Sequence, residues 1–206
     1  MKRSLLVPYY EHPADRPEGW AALVAAAPAL HGVVLNPANG AGEAADPAFA
    51  EVADRLRAAG VRILGYADTD YGRRPHADVV ADLLRHRDWY GADGAFLDQV
   101  ATAPEALPHY RRLAVAARAA GAATLVLNHG ARPDERYAEL AELLVTFEGP
   151  WDTYRTLGPE AAPHHCHLVY AAPPGFRPAT EVHCAVPGAG AHPWGTLPHG
   201  LPETAR

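Results

Sequence analysis

Leu5-Leu6-Val7-Pro8-Tyr9-Tyr10-Glu11-His12 is a short apolar run closed by a proline, two tyrosines and two ionisable residues. An open, doubly wound sheet ordinarily carries a glycine-rich phosphate loop at this point, just after its first strand. The stretch contains no glycine. A parallel sheet that does not take the open form can close on itself, and the rest of the chain has the strand count that closure needs.

Apolar runs recur at Val33-Val34-Leu35, Val61 to Tyr66, Gly94-Ala95-Phe96-Leu97, Ala123 to Leu127, Leu143 to Phe147, Cys166 to Tyr170 and Glu181 to Val186. Amphipathic stretches separate most of them. Gly19 to Ala27 reads as a helix ended by Pro28. Asp46-Pro47 opens another as N-cap and first-turn proline, and Gly60 stops it after Ala59. Pro75 starts a helix to about Tyr90, with Val79, Val80, Leu83 and Leu84 at helical spacing. Further helices are expected over Glu105 to Ala120, Pro133 to Leu140, and Trp151 to Leu157 before Gly158. Strands alternating with helices indicate a parallel sheet, and eight such units close a barrel. The pattern therefore predicts an α/β chain, residues 1–206, forming a single compact (β/α)8 TIM-like barrel. The connection between strands seven and eight is poor in helix, and an irregular Pro/Gly-rich tail starts at about residue 188.

The 206 residues are 49% apolar and 20% charged, which suits one soluble domain with a sizeable core. No stretch approaches the ~20 apolar residues of a membrane span. The net charge is −6 and Lys2 is the only lysine, so no basic stripe suits nucleic acid. Leu5 to Tyr10 is too short for the apolar part of a secretion signal, and Pro8 interrupts it, so a cytoplasmic location is expected; a chain trimmed of its leader would be secreted and read the same way. Cys166 and Cys184 fall in strands, where buried thiols are expected; a bridge requires those strands to be neighbours. The run His164-His165-Cys166-His167 resembles a metal site, but alternate side chains on a strand point to opposite faces and cannot converge. No metal and no cofactor are expected. The oligomeric state is left open by the sequence.

Active sites of such barrels lie at the carboxyl ends of the strands. Those ends carry Tyr9 and Tyr10, Asn36 and Asn39, Tyr66, Asp68, Asp70 and Tyr71, Asp98 and Gln99, Asn128 and His129, Glu148, and Tyr170. Asp98 and Glu148 each follow an apolar run, and their strands lie two apart, so both can face one mouth. Two carboxyls at such a mouth suit general acid/base or nucleophilic chemistry. Tyr9, Asn36, Tyr66, Tyr71, Gln99, Asn128 and Tyr170 are the candidate substrate-binding residues. Aromatic faces and neutral amides without clustered arginines suit a glycan or another hydroxyl-rich small molecule rather than a phosphorylated one. Each residue also has a plainer role: Asp98 as a helix N-cap, Asn36 and Asn128 as turn residues, and Tyr66 and Tyr170 as rim packing.

Taken together, the chain resembles the spherulin-4 family (spherulation-specific family 4). The resemblance rests on Val7-Pro8-Tyr9-Tyr10, Leu35 to Gly40, Leu64-Gly65-Tyr66 with Asp70-Tyr71-Gly72, and Trp89-Tyr90 followed by Asp93 to Asp98. It continues through Asn128-His129-Gly130, Val145-Thr146-Phe147-Glu148 and His192 to Pro198. The family is similar to glycoside hydrolases that cut α-1,4-linked galactosamine or N-acetylgalactosamine polymers, which have this barrel and need no metal. The resemblance implies that Asp98 is nucleophile or charge stabiliser and Glu148 general acid/base. Many family members read Asp-Glu where this chain has Asp98-Gln99, and polymer-degrading members act outside the cell. Two alternatives therefore stand beside hydrolysis of an amino-sugar-containing glycan. One is an intracellular small-molecule enzyme that reuses the pocket for acid/base cyclisation or elimination; the other is a non-catalytic sugar-binding barrel.

Overall fold

The computed structural model describes residues 4–199 and 201. The far end of the expected irregular tail, 202–206, lies outside the described residues. Eight strands form a closed barrel in chain order. They are β1 (Ser4–Pro8), β2 (Leu30–Leu35), β3 (Ile63–Asp68), β4 (Gly94–Asp98), β5 (Thr124–Asn128), β6 (Leu143–Pro150), β7 (His165–Tyr170) and β8 (Val182–Ala185). Each pairs in parallel with the next, and β8 returns to β1. Among the described residues that closing seam is short, pairing Ser4 with Val182 and Leu5 with His183. The helices outside are α1 (Pro17–Ala25), α2 (Pro47–Ala58), α3 (His76–Tyr90), α4 (Leu107–Ala119) and α5 (Trp151–Leu157). Among the described residues no helix is long and apolar enough to cross a membrane.

Local chemistry explains most boundaries. Asp46 caps α2, its Oδ1 accepting from the Ala48 N–H at 2.8 Å. α3 stops at Gly91, which takes a left-handed φ of 62°. Two expected helices differ. The one from Glu105 begins as a 3-10 turn, Pro104–Ala106, before α4. The one over Pro133 to Leu140 is a 3-10 segment, Glu135–Glu139. There the Asp134 carboxylate holds the Arg136 N–H, and the buried Tyr137 hydroxyl donates to the Ala103 carbonyl. These anchors hold the segment in the tighter 3-10 winding. Among the described residues there is no helix between β7 and β8, and the tail carries one 3-10 turn, Pro193–Gly195.

Side chains alternate between the barrel interior and the helix-facing layer. The interior cluster takes members from all eight strands, among them Leu6, Val34, Leu64, Phe96, Val126, Val145, Leu168 and Cys184. Their chain neighbours, such as Val7, Val33, Leu97 and Leu127, pack outward under the helices. Alternation breaks in β2, where His31 is an extra residue opposite Leu5 and Leu6, and in β6. Its register against β7 shifts between Val145 and Phe147, leaving Thr146 as an extra residue. Val145 faces inward, yet Phe147 lies in the outer layer against Tyr154 and Val169. The shift returns the next position, Glu148, to the interior. Strict alternation would put Phe147 inside and Glu148 outside.

Cys166 and Cys184 are free, buried thiols of the interior, on adjacent strands. In the histidine run only Cys166 points inward. His167 faces α5, its Nδ1 lying 3.0 Å from the Tyr154 hydroxyl, while His165 Nδ1 is 3.1 Å from the Glu160 carbonyl.

Candidate active site

The carboxyl ends of β4, β5 and β6 bring Asp98, Asn128 and Glu148 together. Asn128 Nδ2 donates to Asp98 Oδ1 and to Glu148 Oε2, both at 2.6 Å. These two carboxylate oxygens are therefore no farther apart than twice that distance. The amide's orientation is fixed from its other end, where Asn128 Oδ1 accepts the Gly130 N–H at 3.0 Å. The Tyr66 hydroxyl donates to Asp98 Oδ2 at 2.7 Å. Glu148 Oε1 accepts from the Trp194 indole N–H at 3.0 Å. Every carboxylate oxygen of the pair thus has a neutral donor.

Burial pushes both acids above the usual carboxylate range. For Asp98 the opposing influences are hydrogen bonds from Tyr66, the Gln99 backbone and Asn128. For Glu148 the negative charge of Asp98 adds to burial, against donors Asn128 and Trp194. Burial and the same two charges drive the Tyr10 and Tyr66 phenols up, so both stay protonated donors. Burial holds His129, at the rim, down to about 4 and therefore neutral at pH 7.

The acids open into a cavity of about 310 Å³ lined by Tyr71, Asp98, Gln99, Asn128, His129, Gly130, Glu148 and Tyr170. No lysine or arginine lines it. Its rim is held in uncommon backbone conformations: Asp70, Tyr71 and Gln99 have φ of 45°, 54° and 50°. The fully buried Thr69 hydroxyl fastens that rim through the Asp98 and Gln99 carbonyls and Tyr110. Tyr71 remains 53% exposed at the mouth, where its ring is open to a bound molecule. Among the described residues no three His, Cys, Asp or Glu side chains converge as metal ligands would.

Of the sequence-derived candidates, Asp98, Glu148, Tyr66, Tyr71, Gln99, Asn128 and Tyr170 meet at this mouth. Two do not. Tyr9 points the other way, buried under α1 with its ring edge-on to Trp20 at 5.2 Å. It shares the outward parity of Val7, so Tyr10, with the inward parity of Leu6, is the residue after β1 that faces the acids. Asn36 closes its own turn, Oδ1 accepting the Gly40 N–H at 2.8 Å, and does not line the cavity. The residue missed altogether is Trp194. It comes from the tail, and the Trp194 carbonyl accepts the Tyr10 N–H at 3.0 Å while His192 Nε2 lies 3.1 Å from Glu11 Oε1. A lone tryptophan in a Pro/Gly-rich segment was the available signal.

Comparison with solved structures gives the same architecture. Aspergillus clavatus Sph3, solved in complex with GalNAc, superposes with a TM-score of 0.82 at 22% identity, covering 97% of this chain and 94% of that one. The GH113 beta-mannanase AaManA of Alicyclobacillus acidocaldarius, in complex with ManMIm, gives a TM-score of 0.51 at 13% identity over 82% of this chain and 72% of that one. By sequence, Spherulin-4 of Physarum polycephalum is 32% identical over 149 residues, 70% of this chain. The match spans 44% of that relative's length. The model of spherulation-specific family 4 matches residues 4–185, nearly all of the barrel, and the chain belongs to that family.

Proposed function

We propose that the protein is a glycoside hydrolase that cleaves an amino-sugar-containing glycan with Asp98 and Glu148. The observation that carries this reading is the single amide nitrogen of Asn128 donating to both acids. It ties two carboxyls from different strands so that their bonded oxygens lie within twice 2.6 Å, short of the roughly 6.5–9.5 Å of an inverting pair and compatible with the roughly 5–5.5 Å of a retaining one. The amino sugar present in the Sph3 complex supports the substrate class.

The environments divide the roles. Asp98 accepts from three donors and is the better stabilised anion. Glu148 is held towards its protonated form by burial and by the charge of that anion. In the first step the Asp98 carboxylate bonds to the anomeric carbon as the glycosidic C–O bond breaks. Glu148 gives its proton to the departing oxygen. Water then attacks the same carbon, Glu148 takes the water's proton, and the bond to Asp98 breaks. Tyr71 and Tyr170 offer faces for the sugar ring.

The reading is tested with α-1,4-linked N-acetylgalactosamine oligosaccharides. Asp98→Asn and Glu148→Gln are each expected to abolish release of reducing ends, and the first product is expected to keep the anomeric configuration of the bond cut. Full activity in both variants would overturn the assignment.

A further inference from the structure

Thr69, after β3, and Tyr110, on α4, are buried and line no part of the mouth. Their hydroxyl oxygens lie 2.9 Å apart at the end of β4. The Thr69 oxygen is also 2.9 Å from the Asp98 carbonyl and 2.9 Å from the Gln99 carbonyl. Carbonyls only accept, so the single Thr69 proton serves them and Tyr110 donates to Thr69. The Tyr110 oxygen in turn accepts the Ala101 N–H at 3.1 Å. Backbone donors reinforce the same two carbonyls: the Thr69 N–H reaches that of Asp98 at 3.0 Å, and the Tyr71 N–H that of Gln99 at 2.8 Å.

These two carbonyls belong to the peptide planes on either side of the Gln99 Cα. Fixing both planes fixes φ and ψ of Gln99. That residue has a left-handed φ of 50°, which a non-glycine residue keeps only where its surroundings enforce it. In a trans peptide the N–H points away from the carbonyl, so anchoring the Asp98 oxygen on Thr69 turns the Gln99 N–H to the far side. There it meets the Asp98 carboxylate as a donor beside Tyr66 and Asn128. We infer that Thr69, backed by Tyr110, is a positioning residue for Asp98, aiming the Gln99 amide at its carboxylate. The part this plays in catalysis rests on the hydrolase reading above, in which that carboxylate attacks the anomeric carbon; the hold on the carboxylate does not.

The protein labelled with 13C-carboxyl aspartate is titrated by NMR, the Asp98 signal being the one absent from Asp98→Asn. Tyr10, Tyr66, Asp68 and Glu148 also face Asp98, and none of them is replaced. Loosening the amide removes a stabiliser of the charged form, so Thr69→Val is expected to raise the Asp98 midpoint by about one pH unit and Tyr110→Phe by about half as much, while Thr69→Ser leaves it in place. A midpoint that stays put while thermal stability falls makes Thr69 merely structural and overturns the assignment. A downward shift, or Thr69→Ser behaving like Thr69→Val, overturns it as well. Should Thr69→Val not fold, Tyr110→Phe decides alone. If the midpoint moves as expected but the unmodified protein releases no reducing ends from α-1,4-linked N-acetylgalactosamine oligosaccharides, the positioning stands and the hydrolase reading falls.

Discussion

Tyr66 and Trp194 each give a hydrogen bond to one acid of the pair. Both bonds favour the ionised form of the acid that accepts them, so removing either raises that acid's pKa. Tyr66→Phe is expected to move the acidic limb of the kcat/KM profile, set by ionisation of Asp98, to higher pH. Trp194→Phe is expected to move the alkaline limb, set by deprotonation of Glu148, to higher pH. A hydrogen bond to a charged group is worth about 1.5–3 kcal/mol, so shifts of roughly one to two pH units are expected. Limbs that stay in place or move downward would contradict the assigned roles. At this scale the sequence was informative where a polar residue ends an apolar run, as with Asp98, Asn128 and Glu148. It was silent on Tyr9 against Tyr10, because β1 is apolar on both faces and Leu5-Leu6-Val7 hides the alternation that separates them. Trp194 was hidden differently, since it reaches Glu148 from 46 residues farther along the chain.

The irregularity in β6 decides where Glu148 points. Deleting Thr146 would leave Val145 inside, Phe147 outside and Glu148 inside in plain alternation. The deletion variant is therefore expected to keep activity within tenfold of the unmodified protein, with far-UV circular dichroism still reporting the barrel. Activity at the level of Glu148→Gln would refute this account. Nothing in Leu143 to Glu148 marks the extra residue, because Val145, Thr146 and Phe147 are each good strand formers. The strand itself was legible, and its register was not. Helices with clear punctuation were equally legible: Asp46-Pro47 for α2 and Gly158 after α5. The 3-10 segment Glu135–Glu139 was not, because a buried tyrosine hydroxyl and an aspartate cap shape it, and neither acts through periodicity.

Across the whole molecule, burial holds His86, His129 and His167 down to about 4. An unfolded histidine titrates near 6.5, so between these values the unfolded chain binds more protons than the folded one. The stability these residues allow is complete above about pH 6.5 and is lost as pH falls toward 4. Each can account for on the order of 3 kcal/mol. Asp98 and Glu148, raised rather than lowered, act in the opposite sense and offset a part. The melting temperature is expected to drop steadily between pH 6.5 and 4.5. A flat or rising trend would mean that these histidines are charged in the folded protein. The barrel itself was readable from eight apolar runs and a glycine-free first loop, since strand count and connection type leave few closed topologies.

The place where the first and last strands meet has a chemical corollary. Among the described residues strand pairing there is brief, and residues 192–196 lie across the adjoining loop, tied to Tyr10 and Glu11. That same strap delivers the indole to Glu148. Closure of the cylinder and tuning of the acid thus hang on one fastening. A brief parting of the seam would strip Glu148 of a donor while the other seven strand pairings stayed intact, so catalytic competence is the first thing the molecule stands to lose.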